Sequence, residues 1–341
     1  MRYSIGYQLP DELDTTFDIC QDFSEHISDV FFSWGTEPNG RSPLGTEDEK
    51  EIIEKVQLEE LKKIKDMGKT LTLLLNANCY GEDGASLKLK ERILGIVERL
   101  RGELGIDYIT TASPFIANIL KEKYAQDIHI KASVNMRIGT VAAMKQLSDS
   151  FDSFYVRKEV NRDFEKIKEL SEWCQKHGKK LHMLANSGCL TDCAFQTFHD
   201  NLIAHQKPDG DYGLDVGYPA PCHKYLKSLE GMDGMTEFMR SNWVRPEEIH
   251  LYEEYFDEVK LATRMHSRPR MVVAAYCRGK FSGNLLDLTE PSYSRLFRGY
   301  VIDNTLIPDE WFKLASNCKK NCEKCYVCQN ALKSSLVKYT V

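Results

Sequence analysis

The stretch "SNCKKNCEKCYVC", Ser316 to Cys328, sets Cys318, Cys322, Cys325 and Cys328 in a C-x3-C-x2-C-x2-C pattern. A structural zinc site usually separates two ligand pairs by a dozen or more residues. Four thiolates in one tight run wrap an iron–sulfur cluster more readily, as in the bacterial ferredoxin run, although the spacing there is different. Lys313, Lys319, Lys320, Lys324 and Lys333 flank or interleave the cysteines. Their positive charge would offset the negative charge of a cluster. The motif is read as a [4Fe-4S] site, with zinc as the alternative.

A second concentration lies in "ANSGCLTDCAFQTFHDNLIAHQ", which holds Cys189 and Cys193, and continues to Cys222 in "YPAPCHKY". Three thiols in one loop region look like ligands. A zinc ion would need a fourth, from His199, His205 or His223. His199 and His205 are six apart and do not share the i, i+4 spacing of a two-histidine helical site. A cubane can take its fourth ligand from afar or leave one iron open; Cys79, Cys277, a histidine or the substrate would serve. Cys20 lies on an apolar stripe with Phe17, Phe23 and Ile27, and Cys174 on one with Phe164, Ile167 and Leu170, so both read as core residues. A radical S-adenosylmethionine motif starting at Cys189 would need a third cysteine where Gln196 stands. The tail holds C-x3-C-x2-C from Cys318 to Cys325, but after the last strand candidate, whereas that motif normally follows the first. Such an enzyme is a lesser alternative.

The elements that position these residues are short apolar runs alternating with amphipathic helices. The runs are "YSIGYQL", "DVFFSW", "TLTLLLN", "DYITTA", "IHIKAS", "SFYVRK", "KLHMLA" and "EVKLAT". Helices are expected from about Thr15 to Ile27, Asp48 to Met67 before Gly68, and Ser86 to Leu104 before Gly105. Others are expected after the Ser113-Pro114 cap, around Val141 to Leu147, and from an Asn161 cap to Gly178. Eight strand candidates with helices between most of them predict a (β/α)8 barrel, and no G-x-G-x-x-G follows the first strand to favour an open sheet. The expected organisation is a barrel over residues 1–265 that includes a long insertion, 186–246, after strand seven. An extension over 266–341 carries the four-cysteine motif.

A barrel gathers functional residues just past its strand ends. Those positions hold Asn76, Asn78, Ser113, Ser133, Asn135, Arg137, Arg157, Glu159, Asn186 and Arg264. Arg137, Arg157 and Arg264 would grip an anionic substrate, because a guanidinium forks onto carboxylate or phosphate. Asn135 and Asn186 join them as binding candidates. Arg157 and Glu159 are the catalytic candidates, Glu159 as acid or base, or simply as an arginine's partner.

The chain has 341 residues, a formal charge of −6 and 11 cysteines. The charge gives no global reason to expect DNA or an anionic membrane as partner, and leaves room for a local basic groove. The start, "MRYSIGYQLPDELD", has no signal-peptide pattern, and no apolar run approaches the roughly 20 residues of a membrane span. An odd cysteine count without a secretion signal argues against a disulfide framework. The expected location is cytoplasmic.

Three segments, "YVRKEVNRDFEKIKEL", "NSGCLTDC" and "NWVRPEEIHLYEEYFDEVKLATR", resemble the U32 peptidase-like family. Arg157 and Glu159 match its Arg-Glu pair after strand six, and Arg245, Pro246 and Glu247 match its R-P-E turn opening the helix before the last strand. The resemblance spans roughly residues 70 to 265 and implies a barrel, a [4Fe-4S] cluster on four cysteines, and oxygen-independent hydroxylation of RNA bases or a quinone-precursor ring. "MLANSGC" stands where the family's H-G-A-x-C is usual, and the tail cysteines are not its common pattern. No Ser-His-Asp or Cys-His arrangement has a recognisable spacing for peptidase chemistry. The functional expectation is an iron–sulfur oxidoreductase or hydroxylase-type enzyme with a small-molecule or RNA substrate and, as a partner, an electron-donor protein. The alternatives are a metal-stapled binding module for RNA or protein, and a zinc metallopeptidase.

Overall fold

The computed structural model describes residues 1–11, 14–41, 44–205 and 221–339. Part of the cysteine-bearing insertion, 206–220, therefore lies outside the described residues. Eight parallel strands close into a barrel in chain order: β1 (Arg2–Gly6), β2 (Ile27–Phe32), β3 (Thr70–Leu75), β4 (Tyr108–Thr111), β5 (His129–Ala132), β6 (Ser153–Tyr155), β7 (Lys180–Leu184) and β8 (Glu258–Lys260). β1 pairs back to β8, with Arg2 opposite Glu258 and Ser4 opposite Lys260. The predicted (β/α)8 architecture is the observed one.

The covering helices are α1 (Thr16–Asp22), α2 (Lys50–Asp66), α3 (Leu87–Leu104), α4 (Pro114–Tyr124), α5 (Val141–Leu147) and α6 (Phe164–Lys176). In α3, Leu89, Ile93, Val97, Leu100 and Leu104 recur at helical spacing and are buried. Each such side chain contributes ~1.5–3 kcal/mol by leaving water. Ser86 caps its start by accepting from the Leu89 amide, and Gly105, at φ +59°, ends it; a left-handed backbone suits glycine. α4 opens on Ser113 and Pro114 as expected.

Two boundaries differ from expectation. α1 ends at Asp22 because the chain turns at Phe23, whose carbonyl accepts from the amides of His26 and Ile27. α6 is capped by Asp163, which accepts from the Lys166 amide, rather than by Asn161. Asn161 is buried, and its Nδ2 donates to the carbonyls of Leu184 (2.8 Å) and Asn242 (3.1 Å). It thus ties the end of β7 to the far end of the insertion.

The insertion carries α7 (Gln196–Ala204), α8 (Pro221–Ser228) and α9 (Asp233–Arg240), followed by a 3₁₀ helix, Pro246–Tyr252. Beyond β8 come α10 (Pro269–Arg278), α11 (Leu285–Leu288), β9 (Tyr300–Ile302), α12 (Trp311–Ser316), α13 (Val327–Ser335) and β10 (Leu336–Lys338), with β10 antiparallel to β9. α13 packs on α9, and Trp311 stacks on Trp243 with centroids 5.4 Å apart. The extension and the barrel share one apolar core.

The barrel interior is not wholly apolar. Asp29 accepts from the hydroxyls of Ser4 (2.5 Å) and Thr72 (2.6 Å), and the Lys131 ammonium lies 4.0 Å from Asp29 and 3.7 Å from Glu258. His182 is buried beside the Tyr155 ring, and neither of its ring nitrogens has a partner.

Candidate functional site

The four tail cysteines come from three local structures. Cys318 follows α12, Cys322 begins a 3₁₀ turn that ends just before Cys325, and Cys328 sits in the first turn of α13. All four line one cavity of about 510 Å³, whose opposite wall includes Glu159, Arg162, Asp192 and Arg240. The cavity therefore joins the tail to the loops after β6 and β7. Burial pushes the Cys328 thiol up; Arg162 opposes this, and neighbouring Cys318 and Cys322 reinforce it. Cys322 is likewise raised by burial, opposed by Arg240, with Cys318 and Cys325 adding to the rise.

Arg162 is the most constrained cation here. Its guanidinium lies against the stacked pair Trp243 and Trp311, 4.8 and 4.7 Å from their ring centres. It donates to the carbonyl of Trp243 (3.1 and 2.7 Å) and to that of Met239 (3.1 Å). Its hydrogen bonds are all to neutral carbonyls, and its charge acts on Cys328 and Cys318 as well as on Tyr252 and Glu248. Lys319 and Lys320 line the same cavity. The four-thiol donor set fits a metal–sulfur group, while the lining cations are matched by Glu159, Asp163, Asp192 and Glu237.

Cys189 and Cys193 leave β7 together, and Cys222 stands in the first turn of α8. Burial pushes the Cys222 thiol up to about 11, with Cys189 and Cys193 adding to the rise, so the three share one locality. Beside them is Tyr293. Its hydroxyl is buried without a hydrogen-bond partner, and its pKa is raised by burial first and then by Cys189, Cys222 and Cys193. A buried orphan hydroxyl is costly, and a metal group held by these thiols would supply what it lacks. His223 lies edge-on to Tyr293 at 5.7 Å. Cys79 accepts from the Gly81 amide at 3.4 Å. Cys277 feels Tyr3 and the amino terminus, at the opposite end of the barrel from the β7 loop. Cys20 and Cys174 are buried core residues, as expected.

Among the described residues, no three His, Cys, Asp or Glu side chains converge on a single ion position. One tetrahedral zinc needs thiolates about 3.8 Å apart, from its ~2.3 Å bonds. A four-iron cluster binds each thiolate through a different iron, so its ligands surround a cavity rather than one point.

Glu159 and Arg157 do pair. Glu159 is buried, with the Lys158 ammonium at 2.9 Å and Arg157 Nε at 3.1 Å. Burial alone would raise its carboxyl, but Lys158 and Arg157 hold it below the ordinary value. It is a fixed anion at neutral pH, unsuited to acting as a general acid. Arg157 also grips Asp192 at 2.5 Å, and Arg137 pairs with Asp200 at 3.2 Å on α7. Asn186 is spent on the fold: Nδ2 donates to the carbonyls of Ala262 and Leu288 (both 3.2 Å), and Oδ1 accepts from the Ala262 amide (2.6 Å).

Asn135 and Arg264 do come together, in a small pocket inside the barrel mouth that Asn76, Arg41, Lys260 and Glu290 also line. Sequence reasoning passed over Lys260 and Tyr293. For Lys260 the signal was a lone charge inside the apolar run "EVKLAT". For Tyr293 there was none, since its position depends on the packing of the extension.

No protein-family model and no curated protein matches the sequence. A solved structure of the U32 peptidase Mk0906 has a similar fold, with a TM-score of 0.52 at 17% identity over 77% of this chain and 92% of that one. What this likeness shows is the fold, a (β/α)8 barrel similar to that of a U32 peptidase. Two other solved structures are less similar. A family 5 glycoside hydrolase mannosidase from Rhizomucor miehei has a TM-score of 0.42 at 9% identity, over 80% of this chain and 87% of that one. A conserved Enterococcus faecalis protein of unknown function has 0.38 at 11%, over 82% and 66%. No helix among the described residues is long and apolar enough to cross a membrane.

Proposed function

We propose that this protein is an iron–sulfur oxidoreductase of hydroxylase type, acting on an anionic, aromatic or RNA substrate at its barrel mouth. The observation that carries the reading is the single cavity lined by Cys318, Cys322, Cys325 and Cys328. Those four residues would hold one [4Fe-4S] cluster. Cys189, Cys193 and Cys222 would hold a second, with Tyr293 or substrate in the fourth position. Bound clusters supply one-electron transfer and, at an iron lacking a thiolate, a Lewis-acid site.

The chain's own residues set the terms for that chemistry. Arg162 and Lys319 would balance negative charge in the tail cavity, since Arg240 and Lys320 are paired with Glu237 and Asp192. Lys158 links the two thiol regions: its ammonium meets Glu159, which lines the tail cavity, and Gln196 Oε1 at 3.0 Å, just past Cys193. The barrel mouth binds and orients the substrate. An electron-donor protein would dock near the exposed Cys318 and Cys325.

The test is purification under argon with counts of iron, sulfide and zinc and an optical spectrum. Two cubanes predict about eight iron and eight sulfide per chain and a visible absorption bleached by dithionite. A folded, colourless, iron-free protein, or one with stoichiometric zinc, would refute the reading.

A further inference from the structure

We propose that the pocket between Lys260 and Arg264 binds the oxyanion head group, carboxylate or phosphate, of a small ligand. This rests on the reading of the barrel mouth as the substrate face and names the chemistry that face accepts. The pocket, about 70 Å³, has room for a few water molecules. It therefore takes a head group rather than a whole ligand.

Its walls are built for negative charge. Arg264 is only 7% exposed; Nη2 donates to Asn39 Oδ1 at 2.6 Å, while Nη1 is buried with no partner. No carboxylate pairs with it among the described residues. The Lys260 ammonium lies 3.7 Å from the centre of the Phe31 ring and 5.3 Å from that of Tyr155. It makes no hydrogen bond or ion pair among the described residues. Arg41 lines the same pocket, and Glu290 is the only acidic lining residue.

Two glycines permit this geometry. A Cβ on Gly6 would stand 2.6 Å from the Arg264 amide nitrogen, and a Cβ on Gly40 would stand 2.8 Å from Asn135 Nδ2 and 2.9 Å from Asn76 Nδ2. Bare glycines thus let Arg264 and two amide donors close around the pocket.

A buried cation without a carboxylate partner, as Arg264 is among the described residues, costs several kcal/mol relative to water, and Lys260 beside it adds like-charge repulsion. The strain shows in both groups. Burial pushes Lys260 down to about 7; Asp29 opposes this, while Lys131, Arg264 and Arg41 add to it. Burial and then Arg41 push Arg264 down to about 9. An oxyanion between them removes that penalty. The Glu290 carbonyl accepts from the Gly188 amide at 3.0 Å, next to Cys189, so a ligand held here extends toward the mouth thiols.

The test is calorimetric titration of the full chain as isolated, iron counted in parallel, with inorganic phosphate and separately with acetate. One saturable site is expected, and the stronger anion identifies the source. With Lys260 near half protonation at pH 7, binding should take up as much as about half a proton, seen by comparing buffers of different ionisation enthalpy. Arg264→Met should weaken binding about tenfold or more, an effect in the range of a lost charge-assisted bond, and Lys260→Met should abolish the proton uptake. Should either variant misfold, acetylation of Lys260 in the unaltered protein, followed by mass spectrometry, should slow several-fold with the anion present. Absent saturation by both anions, or undiminished binding in both variants, or an unprotected Lys260, overturns the proposal. An iron-free preparation that still binds the anion would defeat the cluster reading and leave this one standing.

Discussion

Replacing Arg162 by methionine tests whether the tail cavity is fastened as described. Methionine keeps much of the apolar volume beside Trp243 and Trp311 but removes every donor. Two main-chain carbonyls, those of Trp243 and Met239, then lose the guanidinium. Leaving a buried acceptor unsatisfied costs ~1–3 kcal/mol each, and loss of a desolvated cation–π contact adds up to ~2 kcal/mol. The expected loss is about 2–8 kcal/mol. Urea unfolding followed by tryptophan fluorescence reads it directly, since Trp243 and Trp311 are the reporters. In iron-loaded protein the same change should make the tail group's reduction potential more negative, because a positive charge beside Cys328 is gone. A loss below about 1 kcal/mol, less than one unsatisfied carbonyl should cost, with an unchanged potential, would show that Arg162 neither clamps the cavity nor faces its contents.

Two further expectations concern stability and pH. Tyr293→Phe deletes a buried hydroxyl without a partner, so metal-free protein should gain roughly 1 kcal/mol while the visible spectrum of loaded protein changes; a destabilised metal-free variant would show that the hydroxyl is already satisfied. Burial pushes His129 down to about 4, with Asp152 opposing and Lys131 adding, and burial drives His182 well below the ordinary value. Between those values and about 6.5 the unfolded chain binds more protons than the folded one, so their contribution is complete above about 6.5 and is lost as pH falls toward 4. A urea midpoint that falls over this range equally in unaltered protein and in His182→Phe would remove His182 from the account.

The barrel could be read from the sequence because local signals coincided with it. Ser113-Pro114, Gly68 and Gly105 punctuate helices wherever they fold, and the apolar runs at β3 and β7 need a sheet buried on both faces. Asn161 misled because two acceptable caps, Asn161 and Asp163, lie within one turn. The choice was made by distant carbonyls at Leu184 and Asn242 that only the fold brings near. The candidate site divided in the same way. The cysteine clusters are local patterns, so they could be found. Whether an arginine is free or spent depends on residues far along the chain: Asp192 and Asp200 hold Arg157 and Arg137, while Arg264 meets no carboxylate among the described residues. Asp29, Lys131 and Lys260 look like interruptions of apolar strands until the closed register sets them side by side.

The pairing of Ser4 with Lys260 has a bearing on how the molecule comes into being. The first strand must wait, one edge exposed, until the eighth has been synthesised, and the four tail thiols emerge later still. Any group held by those sulfurs is therefore added only after every strand of the barrel has been made.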